Sequence, residues 1–360
     1  MRWLGMSYVG ISLSARILLN ADALNMAESV GNVTRHRRAP VVIKTKDGLQ
    51  VLYVPAISGE SIAHAYQVHL AEVAKRYGLP VCKCCEKGIF VKSTDENALN
   101  NCGIQIPQSL QQPGKKGTKK SKESGGIKKS ELEKVIIQQC VVEDVGGFLN
   151  SDNTVKRTSR FRVGYMLPTL DSLKAGAVGT EPELHVRYAG AEQSGGQMLY
   201  YVEIGSALYN LNFSLDVSNI GVLSSDNTEY GEEVDSLEAP ERFKRAEAAL
   251  KALQNLMGSM LWGAKRTRFN PQWEVMSLVV AVTDVPFEVS PGNEPSYLFE
   301  TVERLQILSN NSKVYYFDKE GLKKPQEAKI EVIETNSYLE AIAKASEEAL
   351  ARLGESLKLK

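Results

Sequence analysis

The side chains best equipped for chemistry sit in four basic segments that are far apart along the chain. Arg35-His36-Arg37-Arg38 follows the turn pair Gly31-Asn32. Ser58-Gly59-Glu60-Ser61 opens a helical pattern. Lys156, Arg157, Arg160 and Arg162 lie on a β-like stretch, and Gly263-Ala264-Lys265-Arg266-Thr267-Arg268 follows a second helical pattern. Guanidinium, ammonium and hydroxyl groups of this kind hold phosphate oxygens. A helix start adds unpaired N–H groups and the positive end of a dipole, and Gly59 would let a phosphate come close. Each segment also has an ordinary explanation. Ser58 fits a plain N-cap. Arg160 and Arg162 alternate with Phe161 and Val163, so they fit the solvated face of a strand. Cations at 263–268 fit the carbonyl end of a helix. A fifth basic stretch, Lys115 to Lys129, is offset by Glu123 and followed by Glu131 and Glu133.

Groups for covalent or metal chemistry are sparse. The histidines are His36, His64, His69 and His185, and His64 and His69 are spaced wrongly to share one helix face. No HExxH, GxSxG, Walker A or GxGxxG motif occurs. Asp22 follows a strand end, where a carboxylate either holds a metal or closes a turn. Cys82-Lys83-Cys84-Cys85 with Cys102 offers four thiolates, but not as the two paired knuckles that zinc favours. Free or disulfide-bonded thiols remain open. The sequence therefore assigns no catalytic residue, no metal ligand and no cofactor.

The elements that must position these groups follow from pattern. The chain has 360 residues, 43% of them apolar, with 43 basic and 43 acidic side chains. Zero net charge excludes a uniformly basic coat, so a polyanion partner requires segregated patches. No apolar run is long enough to span a membrane. Met1-Arg2-Trp3-Leu4 could open a signal peptide, yet Met6 to Asn20 carries Ser7, Ser12, Ser14 and Arg16 where the apolar core of one should lie. Met6 is then a candidate start, and an odd count of five cysteines adds to the expectation of a cytoplasmic location. Strands are expected at 7–19, 155–168, 198–217 and 274–284, with a hairpin at 40–54 around Asp47-Gly48. Helices are expected at 60–77, stopped by Gly78-Leu79-Pro80, at 240–262, with a stripe of Ala246, Leu250, Leu253, Met257 and Leu261, and at 337–358. Residues 226–241 carry a run of acids without a base. Setting aside insertions at 20–55, 80–153 and 169–197, the order is βαββαβ, an α+β plan of ferredoxin-like or RRM-like type. Two helices on one face of such a sheet would leave the other face free for a ligand or for the inserts.

Taken in order, several segments resemble one family. They are Asn20 and Asn25 after the first strand, Gly31 to Arg37, Val54 to His64, Ser159-Arg160-Phe161 with Tyr165-Met166-Leu167-Pro168, Leu184 to Tyr188, Val202 to Tyr209 and Gly263 to Arg268. Over residues 6–285 the chain is similar to the DevR-type backbone subunit of archaeal subtype I-A Cascade complexes, in the RAMP superfamily. The resemblance implies a non-catalytic scaffold that polymerises along a CRISPR RNA and kinks it. The guide is thereby presented to a target DNA strand, beside other Cascade subunits and a separate helicase–nuclease. It implies a modified RRM-like palm (1–79, 154–168 and 198–285), a helical finger insertion (80–153), a β-hairpin thumb insertion (169–197) and a C-terminal extension with a helix (286–360). Guide phosphates would meet Arg16, Asn20, Arg35, His36, Arg37, Arg38, Ser58, Ser61, His64, Arg160, Arg162, His185, Arg187, Lys265, Arg266 and Arg268. Met166, or a thumb residue such as Leu173, would wedge between bases, with core packing the alternative for Met166. Relatives that cut RNA use a loop Asp after the first strand. A metal-dependent ribonuclease built on Asp22 or His185 is thus the competing expectation. A third is an interaction protein with zinc-bound cysteines and the acidic run as its docking loop.

Overall fold

The computed structural model describes residues 8–107, 110, 128–188, 197–229, 232 and 234–359. Strand β1 (Gly10–Asp22) lies between β11 (Gln197–Asp216) and β12 (Gln272–Thr283), antiparallel to both. The outer side of β11 pairs with β8 (Phe161–Val163) and β9 (Leu167–Pro168). Ile11, Leu13, Ala15, Ile17 and Leu19 alternate along β1 and pack in one core with α1 (Gly59–Arg76) and α7 (Ala239–Ser259). The Tyr66 hydroxyl joins the two helices by donating to the Ala249 carbonyl at 3.0 Å. Chain order through these elements is βαββαβ, within a mixed α+β fold.

The remaining segments extend this sheet or hang from it. Residues after 285 continue it through β13 (Lys313–Asp318) and β14 (Glu331–Glu334). Helix α8 (Tyr297–Leu308) shares a second core with Val279, Ala281, Val314 and Tyr316, while α9 (Tyr338–Ser356) packs on α7. Segment 20–55 folds as two hairpins, β2 (Met26–Val30) with β3 (Val33–His36), and β4 (Arg38–Thr45) with β5 (Gly48–Pro55). After the short helix α6 (Leu170–Lys174), β10 (Glu181–Tyr188) pairs with the first half of β11. Residues 189–196, between β10 and β11, lie outside the described residues, as do 1–7 and most of the Lys-rich stretch, 111–127. Among the described residues no helix is long and apolar enough to cross a membrane.

Four expectations need correction. The second face of the sheet is not free. Ser12 and Ser14 on that face accept hydrogen bonds from the Val289 and Gly292 N–H groups, so the chain after β12 covers it. The strand expected at 155–168 is three pieces, because β7 (Val155–Arg157) pairs with β6 (Phe148–Asn150) instead of β11. Its alternation also fails beyond Val163: Tyr165 is exposed and Met166 is fully buried, bridged to Ile57. Helix α7 stops at Ser259, where Met260 turns left-handed (φ 49°) and is buried along with Trp262, leaving Leu261 out of the stripe and exposed. Finally, Cys84 and Cys102 form a disulfide and so cannot be zinc thiolates.

The insertion 80–153 contributes α2 (Lys83–Glu86), α3 (Glu96–Cys102), α4 (Lys129–Gln139) and α5 (Val141–Gly146). A buried ion network ties it to the core. Arg157 donates to Glu133 at 2.6 Å and to Asp144, and Arg245 of α7 reaches the other Asp144 oxygen at 2.8 Å, all four side chains being without exposure. The acidic run faces the same insertion through Lys128–Glu232 and Lys134–Asp235 pairs. Its charge is therefore partly answered within the chain.

Candidate nucleic-acid interface

Leu24 and Asn25, just past β1, gather three of the basic segments. The Leu24 carbonyl accepts the Ala264 N–H at 2.7 Å, and Gly263 packs so tightly on Leu24 that a Cβ there would lie 2.8 Å from it. The Asn25 carbonyl accepts the Arg37 N–H at 2.8 Å, and the Asn25 side-chain oxygen accepts the Ser58 N–H at 2.7 Å. The loop 263–268, the end of β3 and the start of α1 are thus fixed around one two-residue hub. Asn20, Arg35, Arg38, Lys265 and Arg268 are exposed at this end of the sheet, and Arg37 and Ser61 are half-buried.

The β10–β11 hairpin adds aromatic surface. His185 stands opposite Tyr200, their rings stacked 5.3 Å apart, and Phe269 meets His185 edge-on at 5.0 Å. Arg187 lies 5.9 Å from the Tyr200 ring, and Arg268 donates to the Tyr200 hydroxyl at 2.9 Å. The structure thereby joins the 185–187 and 263–268 segments, which sequence spacing leaves unrelated. Tyr200 and Phe269, absent from the sequence-derived residues, are what join them. Nε2 of His185 is buried without a hydrogen-bond partner among the described residues, so this platform has unspent polar capacity.

Other expected contacts are committed elsewhere. Arg16 is fully buried, donating to Glu320 at 2.8 Å, to the Gly292 carbonyl at 3.0 Å and to Asp171. It lies on the sheet face that residues 288–293 cover, so it anchors the C-terminal region and α6. Arg160 turns inward to the Val222 carbonyl at 2.8 Å, and burial pulls its pKa down to about 10. Arg157, grouped with it by sequence, belongs to the buried network above. Arg162 is exposed but pairs with Glu288 at 3.6 Å, away from the hub. Arg266 caps the end of α7 by donating to the Met260 carbonyl at 2.6 Å. Ser58 is buried and its hydroxyl accepts the Ser61 N–H at 3.3 Å, which is plain capping. Gly59 serves packing rather than anion approach, since a Cβ there would sit 2.7 Å from the Val163 carbonyl oxygen. Met166 and Leu173 are buried, so neither is placed to wedge between bases. His64 is exposed and packs edge-on against Phe90 at 5.0 Å.

Asp22 and His36 form a closed unit. Asp22 is fully buried and accepts from His36 at 2.7 Å, Tyr209 at 3.0 Å and the Leu24 N–H at 3.4 Å. A carboxylate so occupied offers no solvent-facing oxygen to a metal. The other His36 nitrogen faces the Arg37 carbonyl at 2.8 Å. Both ring nitrogens therefore meet acceptors, the arrangement of an imidazolium. Burial opposes that charge, but the Asp22 hydrogen bond and charge outweigh it and raise the His36 pKa. A raised folded value stabilises fully below the unfolded histidine pKa, and the contribution is lost as pH rises through the folded value. Unfolding midpoints in urea should fall on going alkaline from neutrality, and His36→Gln should remove that slope. An unchanged slope in the variant would show the pair to be neutral.

A family model described as "CRISPR-associated negative auto-regulator DevR/Csa2" matches residues 13–302. A protein of Saccharolobus solfataricus described as "CRISPR-associated aCascade subunit Cas7/Csa2 2" is 40% identical over 322 residues, covering 87% of this chain and 93% of its own. One of Methanocaldococcus jannaschii, "CRISPR-associated protein Cas7/Cst2/DevR", is 27% identical over 330 residues, covering 86% and 91%. A chain of a solved "CRISPR RNA-guided surveillance complex, pre-nicking" superposes loosely, with TM-score 0.46 and 11% identity over 94% of this chain and 99% of that one.

Proposed function

The chain belongs to the DevR/Csa2 family of CRISPR-associated proteins, and from that premise we propose that it is a Cascade backbone subunit that binds CRISPR RNA by its ribose-phosphate chain. The observation that carries this is the convergence on Leu24 and Asn25. One structural hub holds the exposed cations of 35–38 and 263–268, and a histidine–tyrosine–phenylalanine platform adjoins it. Cations hold phosphates without regard to base, and aromatic faces stack on any base. A guide whose spacer varies requires that combination.

In this proposal the central sheet with α1 and α7 is an RRM-like palm, the 80–153 insertion a finger, and the β10–β11 hairpin a thumb that kinks the strand. The thumb presents His185, Arg187, Met198 and Tyr200 on one side. Its other side exposes Leu184, Val186 and Leu199, and the β4–β5 hairpin exposes Val42, Leu49, Val51 and Tyr53. Apolar surface of that extent suits contact with neighbouring copies along the guide. Target DNA would pair with the guide between kinks, and cutting would fall to a separate helicase–nuclease.

Binding of fluorescent single-stranded RNA, followed by anisotropy across a salt series, tests the core of this. With about four phosphates neutralised per subunit, log K against log salt should slope about −3 per subunit. Affinity should change little when the RNA sequence is scrambled. A flat salt dependence, or binding confined to one sequence, would overturn it.

A further inference from the structure

Three cysteines that the disulfide leaves free meet in the interior. Cys82 and Cys85 form a C-x2-C pair at the first turn of α2, and Cys140 comes from the junction of α4 and α5. All three are buried, and their sulfurs lie within 4.8 Å of one another. Tetrahedral zinc with Zn–S bonds near 2.3 Å holds sulfurs about 3.8 Å apart, so a small contraction suffices. We propose that Cys82, Cys85 and Cys140 supply three thiolates to a structural zinc site that pins the base of the 80–153 insertion, with water or a further donor completing the tetrahedron.

Several features favour a metal here over three idle thiols. The Cys85 N–H points at Cys82 Sγ at 3.5 Å, the N–H···S contact that orients a thiolate ligand. The site also lies where the insertion closes. The Val141 N–H donates to the Pro80 carbonyl at 2.9 Å, so the chain next to Cys82 and the chain next to Cys140 are held side by side. Soft thiolates in a closed, dry pocket select zinc over hard cations.

Elemental analysis of the full chain, purified without chelator from zinc-supplemented cells, should give about one zinc per chain. Cys140→Ser and Cys82→Ser should lose it. The Cys84→Ser/Cys102→Ser double variant should keep a full equivalent. Because cysteine variants can fail to fold, cobalt is added to the chelated parent protein as an independent measurement. A tetrahedral site gives thiolate-to-cobalt charge-transfer bands and intense visible absorption, and the melting temperature should rise with cobalt or zinc. Metal-free protein with no such bands would overturn the assignment. So would iron in place of zinc, or a disulfide found by mass spectrometry among Cys82, Cys85 and Cys140. None of these outcomes depends on RNA binding.

Discussion

Asp144→Ala is expected to unfold the join between the 80–153 insertion and the central core. Its carboxylate is fully buried and answers two guanidiniums, Arg157 and Arg245, as well as the Gly221 N–H at 3.1 Å. Removing one partner of a buried pair costs about 3–5 kcal/mol, because the other charge is stranded. Arg157 keeps Glu133 and Arg245 keeps Glu241, each at 2.6 Å, so the cost stays within that range, which is still a large share of the stability of many domains. Urea unfolding should show a midpoint far below the parent's, while loss of the exposed Lys134–Asp235 pair should cost under about 1 kcal/mol. Burial alone would raise the Asp144 pKa, but the charges of Arg157 and Arg245 bring it below the usual carboxylate value. A depressed value stabilises above the unfolded pKa and is lost as pH falls through the folded one. The parent should therefore hold this join until strongly acid pH. A variant unfolding within about 1 kcal/mol of the parent would mean that the network carries little net stability.

What the sequence reveals is local, and what it hides lies across the fold. Helix α1 is legible because Ser58, Gly78 and Pro80 mark its ends within the segment itself, and the β4–β5 hairpin because Asp47-Gly48 sets its turn. Alternation along β1 correctly separates Ile11, Leu13 and Ile17 from Ser12, Ser14 and Arg16. It cannot say what covers the polar face, and so Arg16 reads as free although residues 292 and 320 enclose it. Arg157 and Arg160 mislead for the same reason: a polar side chain in an alternating pattern is assigned to water unless its carboxylate or carbonyl partner is known. The cysteines fail by spacing. Cys82 and Cys85 find Cys140 far along the chain, while the nearer Cys102 takes Cys84. β13 and β14 escape because nothing local ties them to β12. At the candidate interface the cations are visible in sequence, but Tyr200 and Phe269, which unite two of the segments, carry no signal apart from their partners.

Exchanging Arg187, Lys265 and Arg268 together for Glu should reduce RNA affinity about a thousandfold, taking about 1.5 kcal/mol for each charge-assisted hydrogen bond removed. The three side chains are exposed, and Arg187 and Arg268 touch the fold through the Tyr200 ring and hydroxyl. The fold should therefore survive, with the melting temperature within a few degrees of the parent. That separates this triple variant from Arg16→Ala, in which affinity and stability should fall together because Arg16 holds Glu320, Asp171 and the Gly292 carbonyl. The salt series supplies the sharper criterion. Each phosphate neutralised on a single strand contributes about 0.7 to the slope of log K against log salt, so three fewer should flatten it by about 2. Affinity that falls while the slope stays the same would mean that the variant disturbs the aromatic platform and that phosphates are held elsewhere. Unchanged affinity would place the RNA away from the Leu24–Asn25 hub altogether. In that case the exposed Arg162, now paired with Glu288, would be the next cation to exchange.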